Sequence, residues 1–471
     1  MKKTFRFLSM AALLAVGAIM TGCSNEDNID NPQQPANNDN VVTLTATVSL
    51  DGGAQTRAIT PSDGTKTFES GNQIAVIYKN TSNETVKAVS TDFTPTGDNT
   101  KATFTVTLTN PASNSAVRYI YPATMAKDVA TDATITSDDA TIDYTGLFRS
   151  QNGNLTTLGT NYDLAVFDGS LSGTDLPASA SLTNPLAICA LTLKDGSSDI
   201  TSSITSLNVS DGTNTYHVTP SAQSTIYVAM KPVGSSKIAF TAATGSKTYF
   251  KTTASAQTLA ASTLYNNISV SMVELTVGKI IGADGNIYAD ASAATTAGTT
   301  AVAMIAYVGS DAETSTTYNH GLALALADVS STQTWCSQYS ETCLGTGHQY
   351  DNESAAKTDM AGIANTDALV GHDSHTHAAA SAARNYKYTS TATAGAHPTG
   401  TSAWFLPSAG QWDKMATAAS GYNNLGLQSK KYYWSSSEWG AAGAWYFGSD
   451  GGYWDVDDKE YFNLVRACLA F

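Results

Sequence analysis

Val41-Val42-Thr43-Leu44-Thr45-Ala46-Thr47-Val48-Ser49-Leu50 alternates apolar and hydroxyl side chains: Val42, Leu44, Ala46, Val48 and Leu50 against Thr43, Thr45, Thr47 and Ser49. A period of two sends successive side chains to opposite faces, so this stretch predicts a β-strand with one buried and one wet face. Comparable runs follow at Gln73 to Tyr78, Ala102 to Leu108, Val117 to Tyr121, Leu186 to Leu193, Ile226 to Met230, Lys237 to Phe240 and Ile268 to Met272. Turn dipeptides separate them: Asn110-Pro111, Asp195-Gly196, Asp211-Gly212 and Lys231-Pro232. Short strands at this spacing predict a mostly β chain with two antiparallel sandwiches in tandem, 41–175 and 176–273. The pattern stops near Glu274, and 274–471 reads as a third domain.

Composition narrows the function classes. The chain has 471 residues, 42% of them hydrophobic, enough for packed cores. Its 25 Lys and Arg face 40 Asp and Glu, a net charge of −15, with no basic stripe. That argues against nucleic acid and against electrostatic binding to anionic lipid.

The first residues read as an address. Lys2, Lys3 and Arg6 precede the apolar stretch Leu8 to Met20, which is of signal-peptide length. It ends in Met20-Thr21-Gly22-Cys23, which resembles a bacterial lipobox. That resemblance implies cleavage before Cys23, a diacylglyceryl and acyl anchor on its thiol, and an outer-membrane lipoprotein precursor. Residues 1–23 are then signal and lipobox, and the polar, Asn- and Pro-rich segment 24–40 a flexible tether. Export implies an oxidising compartment. Of the remaining cysteines, Cys189 sits in an apolar run and reads as a buried thiol, while Cys336 and Cys343 are near enough in a Gly-containing loop to pair as a disulfide.

From residue 1 to about 273 the order of features resembles the fimbrillins of Bacteroides-type bacteria, lipoprotein precursors of type V pilus subunits. The residues carrying it are the lipobox, the strand Val41 to Leu50, Gln55-Thr56-Arg57-Ala58, Gly71-Asn72-Gln73-Ile74-Ala75-Val76 and Tyr119-Ile120-Tyr121-Pro122. The resemblance implies two transthyretin-like sandwiches. It also implies proteolytic processing between Arg57 and Ala58, loss of the preceding strand (Val42, Leu44, Ala46, Val48, Leu50), and assembly by β-strand addition from a neighbouring subunit. Arg57 lies between Gly52-Gly53 and Pro61, a stretch expected to be exposed. The discarded strand is expected at an edge of the first sandwich.

Six of the seven Trp lie between Trp404 and Trp454. The motifs Trp404-Phe405-Leu406-Pro407-Ser408, Tyr433-Trp434-Ser435-Ser436-Ser437 and Val465-Arg466 resemble a C-terminal domain of Bacteroides and Fibrobacter surface proteins, implying an α+β, C-type-lectin-like fold. Ser408 is expected to cap a helix carrying Trp412 and Met415 on one face. Most of the aromatics are expected in the core. Trp439, Trp454, Asp455, Asp457 and Asp458 are the candidates for binding a glycan or host surface ligand. Asp455 and Asp457 share a face by their spacing of two. A Ca²⁺ ion held by these carboxylates is the less favoured reading beside a solvated acidic hairpin, since the triplets of Ca²⁺-binding C-type lectins are missing, and no other cofactor is expected. His372, His375 and His377 do not match a zinc pattern, metal-binding CxxC pairs are absent, and the histidines read as surface-loop residues. A nucleophile elbow, a Walker loop and a Rossmann fingerprint are missing, and Cys336 and Cys343 do not match formylglycine-generating enzymes. The expected protein is therefore non-catalytic. It is a fimbrium subunit on the cell surface, with a tip adhesin favoured because Phe471 lies in what reads as a closing strand. The alternative is an outer-membrane lipoprotein that binds glycans and never polymerises.

Overall fold

The computed structural model describes residues 40–471 except 51–67, 97–98, 315–317, 319, 330, 339–340, 346 and 373–374. Cys23, Arg57 and Ala58 fall outside the described residues, as do the signal segment and all of the tether but Asn40. No helix among the described residues is long and apolar enough to cross a membrane.

The first strand is where the alternation places it. β1 (Val41–Leu50), β2 (Ala75–Lys79), β3 (Thr85–Val89), β4 (Thr94–Thr96), β5 (Lys101–Thr109), β6 (Ala116–Tyr121), β7 (Ala165–Ser170) and β8 (Ser179–Leu182) make two four-stranded sheets. Their orders are β4-β5-β1-β8 and β3-β2-β6-β7. The apolar faces of both sheets meet in one core, where Ala46 and Val48 join Phe104, Val106, Leu108, Tyr119, Ala180 and Leu182. Phe68, Phe93 and Tyr121 add an aromatic cluster with ring centroids 5.1 to 5.7 Å apart. On the opposite face the hydroxyls of Thr43 and Thr107, and of Thr45 and Thr105, pair across β1 and β5 at 3.2 and 3.1 Å. β8 lies past Asp175 and still pairs with β1, so the first sandwich runs on to Leu182.

Two features differ from the sequence reading. The sheets are not purely antiparallel: β1 runs parallel to β8, and Ala187–Asp195 runs parallel to Thr263–Glu274. The segment between β6 and β7 also holds three short helices, Asp138–Thr141, Thr145–Arg149 and Leu155–Asn161, that hydrophobic periodicity does not reveal. Ser137 and Asn154 cap the first and third. The helices bury Leu147 and Leu158 in a second core shared with Ile77, Ile120, Leu191 and Val228. Arg118 of β6 is buried beneath them, paired with Asp138 and, at 3.4 Å, with Asp168.

Residues 187–274 build an eight-stranded sheet over that second core. Beyond it come a five-stranded sheet ending in Cys468–Ala470, a three-stranded sheet (Tyr432–Glu438, Gly443–Gly448, Trp454–Asp458) and several short helices. Helix Ala409–Ala418 starts after Ser408, whose N–H donates to Gln411 Oε1 at 3.0 Å, and its Trp412 and Met415 are buried. Long loops dominate here, and tryptophan indoles tie them down. Trp335, Trp404, Trp434 and Trp445 each donate Nε1–H at 2.8 Å to a main-chain oxygen, of Ser435, Ala396, Gln333 and Tyr350 respectively. Each buries a large apolar surface and satisfies its one polar atom.

The two faces of β5 predict opposite sensitivities. Phe104→Ala, in the core, is expected to lower stability by about 3–5 kcal/mol. Thr105→Ala, on the wet face, should stay within about 0.5 kcal/mol. Urea denaturation midpoints of the two variants check this.

Candidate functional site

Three places bring together the residues that the sequence singles out. The first is the seat of β1. Nine consecutive residues, Val41 to Ser49, pair antiparallel with Thr109 to Lys101 of β5, and Thr47 to Leu50 pair parallel with Ser179 to Leu182 of β8. β1 is therefore an inner strand, not the edge strand the sequence suggested. Its partner β8 comes from more than a hundred residues away, which local periodicity cannot show. Side-chain sizes complement across the ladder. Ala46 stands opposite Phe104 and Val48 opposite Ala102. Val42 and Leu44 are half-buried, and Ala46 and Val48 fully buried.

The second place is the three-stranded sheet, where Trp454–Asp458 forms an edge. Trp454 is a core residue at 7% exposure. Its Nε1–H donates to Tyr422 Oη at 2.9 Å and its ring packs on Phe447. It therefore offers no open face to a sugar, which corrects its place among the ligand candidates. Trp439, at 43%, is exposed. Asp455 and Asp457 do share a face, opposite Tyr446 and Ala444, while alternation turns Asp458 away. Among the described residues these carboxylates do not converge as a cation-holding group. What accompanies Asp455 and Asp457 is a set of tyrosines that sequence reading passed over. Tyr432, Tyr446 and Tyr453 stand edge to face, with centroids 5.4 to 6.3 Å apart, and the hydroxyls of Tyr446 and Tyr453 are 3.3 Å apart. Tyr432 and Tyr453 are each 48% exposed. Burial, then the Tyr453 hydroxyl and the two aspartates, pushes the Tyr446 phenol up, and burial raises the Asp457 carboxyl.

The third place corrects the histidine reading. His377 is 1% exposed, not a surface residue, and lies against Cys336 and Cys343, which are both buried. The two cysteines are free thiols with Sγ atoms 3.9 Å apart, so the structure brings them together without a disulfide. The hydrogen bond from the Cys343 thiol pulls the Cys336 thiol down, and the same bond, with burial, pushes Cys343 up. Beside them Lys459 and Glu438 form an ion pair with no exposed side-chain surface. Glu438 accepts main-chain N–H from Cys343 at 2.7 Å and Leu344 at 3.1 Å, and Lys459 Nζ donates to Glu341 O at 2.7 Å. Cys189 and Cys468 are buried elsewhere. No sequence signal marks this cluster, because Cys343 and His377 are joined by loops of no fixed spacing.

No protein-family model and no curated protein matches the chain. Solved structures that resemble it include a fimbrial protein from Bacteroides ovatus, at 14% identity over 91% of this chain and 100% of that one, with a TM-score of 0.33. A fimbrial assembly protein from Parabacteroides distasonis is 9% identical, over 47% of this chain and 89% of its own, with a TM-score of 0.28. The minor pilin of Streptococcus agalactiae is 10% identical, over 50% and 98%, with a TM-score of 0.22. Scores of this size do not carry a function from those proteins to this one.

The Lys459–Glu438 pair organises the loop around Cys343. Removing one partner leaves a buried charge alone, so Lys459→Met is expected to cost about 3–5 kcal/mol. Thermal or urea denaturation of the purified variant checks this.

Proposed function

We propose that the chain is the precursor of a pilus subunit that accepts a β-strand from a neighbouring subunit at the seat of β1. The observation behind this reading is the position of β1: an inner strand at the start of the described chain, held on both sides by main-chain ladders, with the Arg57–Ala58 bond between it and Phe68. Cleavage there leaves β1 attached only by non-covalent contacts. Its departure bares the apolar faces of Phe104 and Leu182 and unpairs donors and acceptors along β5 and β8. Each backbone group left buried and unpaired costs roughly 1–3 kcal/mol, so the opened groove favours a replacement strand.

The finer reading is a tip adhesin made as a lipoprotein anchored through Cys23. Cys468–Ala470 is built into the five-stranded sheet, and Phe471 O accepts N–H from His320 and Gly321 at 2.7 and 3.2 Å. Those residues are not themselves a donor strand. Tyr432, Tyr453, Asp455 and Asp457, with Trp439 exposed at the turn of the hairpin that carries Tyr432, supply the ring faces and acceptors that carbohydrate binding uses, and make a glycan the ligand class of choice.

Protein released from the cell surface is expected to begin at Ala58 on N-terminal sequencing. A chain starting at Ala58 is expected to bind a synthetic Val41–Leu50 peptide, and a peptide carrying Val48→Asp to fail. A surface form that keeps Val41–Leu50 and ignores added peptide leaves the non-polymerising glycan-binding lipoprotein instead. Immunogold labelling confined to fibre ends is expected, and labelling along the shaft overturns the tip position.

Glycan-array binding by the full chain is expected to fall at least tenfold in Tyr453→Ala. A chelator should leave it unchanged, because the carboxylates do not converge on a Ca²⁺ site.

A further inference from the structure

Cys336, Cys343 and His377 offer one ligand atom each, and these three atoms lie within 4.8 Å of one another. It is the one group of three or more His, Cys, Asp or Glu of that kind among the described residues. The spacing within it is informative. Two thiolates bound at about 2.3 Å to a tetrahedral ion stand about 3.8 Å apart, and the two Sγ atoms here are 3.9 Å apart.

The imidazole supplies an independent observation. His377 is 1% exposed, and neither Nδ1 nor Nε2 makes a well-formed hydrogen bond, although the ring is close enough to interact with the Cys336 thiol. Leaving a buried polar side chain unpaired costs free energy, and an ion bound by the two sulfurs would satisfy a ring nitrogen that lies within 4.8 Å of them. His372 packs against it with ring centroids 5.2 Å apart, and its own Nδ1 is buried without a partner.

The surroundings hold the ligands in place. Ser337 N–H donates to Thr376 O at 2.9 Å and Thr376 N–H to Ser337 Oγ at 3.1 Å, which clamps the cysteine loop to the histidine loop. Gln338 N–H donates to Cys336 Sγ at 3.4 Å. Trp335 and Cys336 N–H both donate to Lys459 O. The Lys459 ammonium lies 3.8 Å from Cys343 Sγ, but Glu438 balances its charge, so the pair does not repel a cation as a bare lysine would. Donors to the sulfurs and fixed loops of this kind are the outer-shell support that metal ligands need.

We propose that Cys336, Cys343 and His377 bind a zinc-type divalent ion. Two thiolates and one imidazole select a borderline-soft ion over Ca²⁺ or Mg²⁺. The charges balance: whatever thiol proton the pair still holds is released on binding, and two thiolates neutralise the divalent ion. The ion's role is to tie Cys336 and Cys343 to His377, independent of whether the chain polymerises.

The test uses the full chain, reduced and stripped of metal, then titrated with Zn²⁺ or Co²⁺ alone. One Zn²⁺ per chain is expected. Co²⁺ is expected to give thiolate-to-metal charge transfer and the intense visible bands of a four-coordinate site. Cys336→Ser and Cys343→Ser should each abolish the charge-transfer band. His377→Ala should weaken Zn²⁺ binding at least tenfold, His377→Cys should restore it, and Cys189→Ser should change nothing. The parent chain alone keeps the proposal falsifiable if a variant fails to fold. A reduced parent chain with no Co²⁺ bands overturns it, and so does peptide mapping that finds Cys336 and Cys343 joined as a disulfide in protein taken from cells.

Discussion

The first sandwich depends on one strand being paired on both sides. β1 accepts and donates along β5 in one direction and along β8 in the other. It also supplies Ala46 and Val48 to the core between the sheets. An edge strand can leave a sheet and expose one row of backbone groups. An inner strand exposes two rows and splits the sheet, here separating β8 from β4 and β5. The groove left behind is walled by main chain on both sides, so its affinity for a strand comes from two ladders at once. That geometry favours replacement over mere loss, because the opened state is much less stable than the filled one.

How much of this was readable follows from the range of each interaction. The alternation Val42 to Leu50 is local, and it gives the strand and its buried face directly. The helix after Ser408 is local too, since Gln411 three residues on reaches back to the cap. The ladder to β8 is not local, and neither is the neighbourhood of His377. Ala-Ser-Gly surroundings made that histidine look exposed, yet Trp335, Cys336 and Cys343 cover it from another loop. Trp454 misled for the opposite reason. Its acidic neighbours suggested an open loop, but a strand alternates, and the tryptophan faces inward while Asp455 faces out. The tyrosine triad was illegible because Tyr432, Tyr446 and Tyr453 come from three separate segments that only a folded sheet brings together.

The last two hundred residues solve a different problem. With long loops and short regular elements, their backbone has few ladders to satisfy it. Side chains take over. Four indole N–H groups hold loop carbonyls, Asp359 accepts from Ser437 Oγ at 2.6 Å and Asn365 Nδ2 at 2.9 Å, and Arg466 reaches Asp328, Ala325 O and Gly426 O. Buried polar networks of this kind rigidify a region when every member is satisfied. The imidazole of His377, with both ring nitrogens unsatisfied, is among the members that are not, as are Trp412 Nε1, His372 Nδ1 and Arg384 Nε.

The seat of β1 also restricts what can fill it. Direction is fixed, because the occupant must run antiparallel to β5 and parallel to β8 at once, and a reversed strand presents the wrong hydrogen-bonding pattern to both. Register is fixed by the pleat, since a slip of one residue turns every apolar side chain outward. A slip of two keeps the faces but not the sizes. Phe104 has Ala46 opposite it and Ala102 has Val48, so a two-residue shift sets a larger side chain against the phenyl ring. In a close-packed core, overfilling costs about 1–3 kcal/mol. Any strand that took the place of β1 would need a small residue where Ala46 stands, and could carry a larger one where Val48 faces Ala102. That pattern discriminates between donors more sharply than strand propensity alone, because propensity is common to every Thr- and Val-rich segment of this chain.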